Sequence, residues 1–60
     1  MAIFYIHYVC RKNGKTVQET DDKVNLFPSR KEAESLAKAS VEVFNVGCKA
    51  GVWSYVIKKM

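Results

Sequence analysis

Ile3-Phe4-Tyr5-Ile6-His7-Tyr8-Val9-Cys10 is largely apolar or aromatic throughout. Side chains alternate along a strand, so Phe4, Ile6, Tyr8 and Cys10 share one face, and Ile3, Tyr5, His7 and Val9 the other. Both faces of this strand need cover. The remaining sequence has room for one good helix, and one helix covers one face of a small sheet. The second face is then left to carry its rings toward solvent or toward a partner.

The next residues, Arg11-Lys12-Asn13-Gly14-Lys15-Thr16, place an Asn-Gly pair between two strand-like runs. A type I′ turn needs φ > 0 at both central residues, and Asn-Gly supplies it at little cost. A two-residue turn predicts the pairs Lys12–Lys15, Arg11–Thr16, Cys10–Val17, Val9–Gln18 and Tyr8–Glu19. Val17 is the only apolar residue of the second strand, so this register puts it inward with Phe4, Ile6, Tyr8 and Cys10. A slip of one residue would exchange the faces. Asp21-Asp22 is expected to break the second strand. Lys23–Phe27 then forms a short third strand or an extended approach to the helix.

Ser29 followed by Glu32 is a capping box, and Pro28 disfavours an earlier helical start. Ala33, Leu36, Ala37, Ser40, Val41 and Phe44 follow at helical spacing, and Gly47 stands where a left-handed residue ends a helix. The predicted helix covers about residues 30–46. Its apolar arc runs from Val46 and Ala39, through Val43, Leu36, Ala33 and Phe44, to Val41, about 200° against the roughly 100° a core stripe needs. Either the helix sinks between flanking loops, or its Ala39-Val43-Val46 edge meets a partner. Cys48–Gly51 reads as a loop and Val52–Lys59 as a final strand, with Trp53, Tyr55 and Ile57 on one face and Val52, Ser54 and Val56 on the other. Either set could be the inner one. The fold class is α+β: an antiparallel sheet of order ββ(β)αβ with one helix on one face, in a single domain over residues 1–60.

At 60 residues the chain buries only about 60% of its unfolded surface. A hydrophobic fraction of 48%, with three Tyr, three Phe and one Trp, is still enough for a core. A net charge of +4 and a pI near 9.3 favour acidic partners. Signal-peptide and membrane-span patterns are lacking. The expectation is a cytoplasmic protein with no membrane partner, its Cys10 and Cys48 reduced rather than bridged.

His7 and Cys10 lie three apart on a strand and face opposite ways, so they do not chelate one metal with Cys48. No serine, cysteine or carboxylate has an activating neighbour. Neither an enzyme nor a cofactor is expected. Arg30-Lys31 in the first helical turn reads either as an anion site at the helix N-terminus or as surface charge balanced by Glu32 and Glu34. Arg11, Lys12 and Lys15 crowd the hairpin tip. Beside Tyr5, His7 and Trp53 or Tyr55 they combine cations and rings, as nucleic-acid platforms and protein hot spots both do. Glu19, Asp21 and Asp22 on the same hairpin count against phosphate.

Tyr5-Ile6-His7-Tyr8-Val9, the Asn13-Gly14 turn and Phe27-Pro28-Ser29-Arg30-Lys31-Glu32-Ala33-Glu34 resemble phage-type integrase N-terminal arm-binding domains over about residues 3–40. That resemblance implies a three-stranded sheet that reads DNA. The chain departs from it in its third strand and in the added C-terminal strand. The N-terminal strand Met1–Cys10, the Ser-capped helix Ser29–Ser40 and the Gly51-Val52-Trp53 strand resemble the organisation of small phage anti-CRISPR proteins. This second resemblance implies a non-catalytic inhibitor that binds a CRISPR effector.

The expected function is therefore a non-catalytic binding protein, phage or mobile-element encoded, acting on a larger host protein or nucleoprotein complex as monomer or homodimer. The alternative is a nucleic-acid-binding module. The candidate partner-binding residues are Tyr5, His7, Arg11, Lys12, Lys15, Arg30, Lys31, Trp53 and Tyr55.

Overall fold

The computed structural model describes residues 2–47 and 51–60. Its elements are β1 (Phe4–Lys12), β2 (Lys15–Phe27), α1 (Arg30–Asn45) and β3 (Val52–Lys59). The strands form one antiparallel sheet of order β2-β1-β3, with the aromatic strand β1 in the centre. The helix packs on one face. No separate third strand precedes it: β2 runs through Asp21-Asp22 to Phe27, so the order is ββαβ.

The local signals fold as their chemistry dictates. Asn13 and Gly14 have φ of 54° and 77°, as a type I′ turn requires. Ser29 Oγ accepts the Glu32 N–H at 3.2 Å, capping α1. Gly47 takes φ 67° just beyond the helix C-cap, Val46. The predicted loop at Cys48-Lys49-Ala50, and any pairing of Cys48, lie outside the described residues.

The register departs from the simple hairpin after two pairs. Lys12 pairs with Lys15 and Arg11 with Thr16, but Cys10 pairs with Gln18, Val9 with Glu19, Tyr8 with Thr20 and His7 with Asp21. One extra residue on β2 makes a bulge. Val17 does not turn inward; it is 56% exposed. Without the bulge, Glu19 would oppose Tyr8 and Asp21 would oppose Ile6, placing two carboxylates on the helix-covered face. With it, both reach His7 on the other face, and only Asp22 stands opposite Ile6. A second, larger shift separates the Ile6–Asp22 and Phe4–Phe27 pairs. There Asp22 folds the outward segment on itself, accepting the Asn25 backbone N–H at 3.3 Å and the Asn25 side-chain amide at 3.1 Å.

The core is small. Ile6, Tyr8, Ala33 and Ala37 are buried, and Phe4, Phe27, Val41, Trp53, Tyr55 and Ile57 pack around them. Trp53, Tyr55 and Ile57 are therefore the inward set of β3. The helix turns Ala33 and Ala37 to the sheet because small side chains allow close approach. That phase leaves Leu36 41% exposed, away from the centre where the wide apolar arc would put it. The chain exposes 4444 Å², against roughly 3,950 Å² for a folded monomer of its mass. One helix does not cover this sheet.

Candidate interaction surface

The uncovered face is carried by the strands as mixed rows. Tyr5 lies beside Lys58, His7 between Asp21 and Val56, Val9 between Glu19 and Ser54, and Arg11 between Thr16 and Val52. Val52 and Val56 are 66% and 49% exposed. Val9 is buried although no helix covers it.

His7 is the electrostatic centre of this face. Its Nδ1 meets Asp21 Oδ1, and its Nε2 lies 3.2 Å from Glu19 Oε1. A neutral imidazole has one donor, so only the protonated ring donates to both carboxylates at once. The hydrogen bond from His7 holds the Asp21 carboxyl below its usual range, with the charges of His7, Lys58 and Lys23 acting the same way; partial desolvation opposes them. A lowered carboxyl stabilises the fold above its unfolded value, about 3.9, and that contribution is lost as pH falls through the folded value. The thermal midpoint of the native chain should therefore exceed that of Asp21→Asn above about pH 4, with the gap closing at lower pH. A gap independent of pH would show that the charge of Asp21 plays no part.

The charges are banded. Arg11, Lys12 and Lys15 mark the hairpin end, Glu19 and Asp21 the middle, and Lys23 and Lys58 the other end. Lys23 Nζ stands 5.2 Å from the centroid of the Tyr5 ring, close enough for cation–π attraction.

The nine candidate residues do not form one patch. Tyr5, His7 and Arg11 share the open face, and Lys12 and Lys15 follow at the hairpin tip. Trp53 and Tyr55 point into the helix-covered face and pack on the core, so the expected platform joining them to Tyr5 and His7 does not form. The register places them there, since Trp53 opposes Cys10 and Tyr55 opposes Tyr8. Arg30 lies in the helix layer, its guanidinium 5.4 Å over the Phe4 ring, and Lys31 is exposed. Among the described residues no three potential metal ligands converge. The two carboxylates at His7 sit at opposite ends of its ring.

Both sheet edges are interrupted, β2 by its register shifts and β3 at Trp53. The β2 edge carries two bulges, which disrupt a straight row of backbone groups. On β3, the Asn45 side chain accepts the Trp53 N–H at 2.8 Å and donates to the Trp53 carbonyl at 3.1 Å, occupying the edge as a strand would. Sequence reading passes over Asn45, whose only signal is an amide at the helix end. Asn45→Ala should cost about 1–2 kcal/mol for the two bonds, read as a lower urea midpoint. An unchanged midpoint would show that water replaces the amide without loss. The simple hairpin register also gives no sign of Glu19 and Asp21 as partners of His7. Only the bulge brings them opposite Val9 and His7.

A scan of family models, a search of curated proteins and a search of solved structures each found no match to this chain. No helix among the described residues is long and apolar enough to cross a membrane.

Proposed function

We propose that this chain is a non-catalytic binding protein that docks on a larger protein or nucleoprotein complex through its open sheet face. The observation that carries this reading is the one-sided cover of the sheet, which leaves Val56 exposed beside His7 and Val52 exposed beside Arg11. The register shifts along β2 and the Asn45 amide on Trp53 interrupt the edges, which favours recognition by a face over strand addition. Glu19 and Asp21 in the middle of that face would repel a phosphate backbone, which favours protein over nucleic acid. The resemblance to small phage anti-CRISPR inhibitors makes a CRISPR effector the first complex to test.

The test has two arms. A partner should be captured equally from nuclease-treated and untreated lysate. With that partner purified, Tyr5→Ala should weaken binding by about 2 kcal/mol, mostly through faster dissociation. Val56→Asp, on the same face, should act in the same direction. Replacing Arg11, Lys12 and Lys15 with Ala should mainly slow association, since peripheral charges steer more than they hold. Salt-steep binding to bare nucleic acid, lost in the triple variant and intact in Tyr5→Ala, would replace this reading with the nucleic-acid one.

A further inference from the structure

A second surface lies on the opposite side of the sheet. The helix sits toward β3, and between it and β2 a cleft of about 410 Å³ opens. That volume lies in the range of small-molecule and side-chain sites, about 300–1,000 Å³. Its floor is aromatic. Tyr8 and Phe44 meet edge-on with centroids 5.3 Å apart, and Phe44 and Trp53 lie tilted at 5.5 Å. Thr20, Asp21 and Asp22 of β2 line the other side, with the Asp21 carboxylate held by His7.

We infer that this cleft binds the guanidinium group of an arginine presented by a partner protein. Asp22 is a half-buried carboxylate on the helix-covered face. Each of its oxygens accepts one bond from Asn25, a neutral donor. A carboxylate has about four acceptor positions, so roughly two remain. Both ion pairs among the described residues belong to His7. A partly desolvated carboxylate with spare acceptors beside three rings suits a planar cation that both stacks and donates in pairs. Arginine does both; an ammonium offers no planar fork.

The helix flank outside the cleft lining is apolar. Phe44 points to the sheet, and Asn45, about 100° further round the helix, reaches β3. Val43, about 100° the other way, therefore lies on the flank toward β2, with Leu36 two turns earlier on the same flank. These residues are 70% and 41% exposed. Val43, next to the lining residue Phe44, offers apolar contact to the methylene stem while the charged head reaches Asp22. Asp21 borders both this cleft and the open sheet face, but Asp22 and the aromatic floor lie on the helix-covered side, so either proposal can fail alone.

Trp53 is the only tryptophan, so its fluorescence reports the cleft directly. The experiment titrates the native chain with N-acetyl-arginine amide. The control is N-acetyl-citrulline amide, nearly isosteric and uncharged, at matched ionic strength. Arginine amide should give a saturable change with a midpoint on the order of millimolar, and citrulline amide should not saturate. Asp22→Asn keeps an oxygen for Asn25 and should weaken the arginine response about tenfold or more, with circular dichroism confirming its fold. Equal responses to the two amides, or no saturation by arginine amide, would overturn the inference on the native chain alone. So would a folded Asp22→Asn that binds as the native chain does.

Discussion

Ile6→Ala should remove a large share of this protein's stability, more than any other truncation in the core. Among the described residues Ile6 is the only large side chain with no exposed surface, seated between Tyr8, Ala33 and Ala37 in the centre of the sheet. Truncating a buried Ile costs about 2–5 kcal/mol through lost transfer energy and the cavity left behind. A chain of this length is expected to hold only about 3–9 kcal/mol in all. The surrounding core cannot collapse into the gap, because its helix side is already two alanines at close approach. Leu36→Ala, in the helix that faces this site, should cost about 1 kcal/mol or less, since Leu36 remains 41% exposed. Phe44→Ala should fall between them: the ring is 41% exposed but packs on Tyr8 and Trp53. Urea titrations of the three variants would give the order. A Leu36→Ala loss as large as that of Ile6→Ala would mean that the helix is rotated from the phase described here.

Gly51→Ala is expected to be the other severe change. Gly51 has φ 148°, a region that residues with a Cβ rarely enter. An added Cβ would stand 2.7 Å from the Arg11 carbonyl oxygen and 2.9 Å from Cys10 Sγ. Cys10 and Arg11 belong to the central strand, which is hydrogen-bonded on both sides and cannot yield cheaply. Strain and overlap together should cost about 2–4 kcal/mol. Gly14→Ala makes the comparison: its φ is also positive, at 77°, but nothing lies within 4 Å of the new carbon. It should cost about 1 kcal/mol, the conformational part alone. Equal losses would assign the effect at Gly51 to backbone conformation and not to the approach of β1.

The sequence by itself determined the features set by near neighbours. The Asn13-Gly14 turn, the Ser29 cap, the Gly47 stop and the span of the helix each depend on interactions within a few residues, so the local pattern sufficed. The aromatic character of β1 also announced a sheet that one helix would not cover. The candidate surfaces were legible only in pieces. Tyr5, His7 and Arg11 could be assigned together because alternation along one strand is local. Their separation from Trp53 and Tyr55 could not, because the inner face of β3 depends on its pairing with β1, more than forty positions away. Likewise the bulge at Val17 follows from the gain in turning Glu19 and Asp21 away from Tyr8 and Ile6 and toward His7, a choice made across the sheet. The helix phase was decided by how closely Ala33 and Ala37 allow the backbone to approach β1, and hydrophobicity alone does not rank alanine above leucine for that task. Only the tertiary structure decided these points, because each is a competition between distant residues for the same space on one side of the sheet.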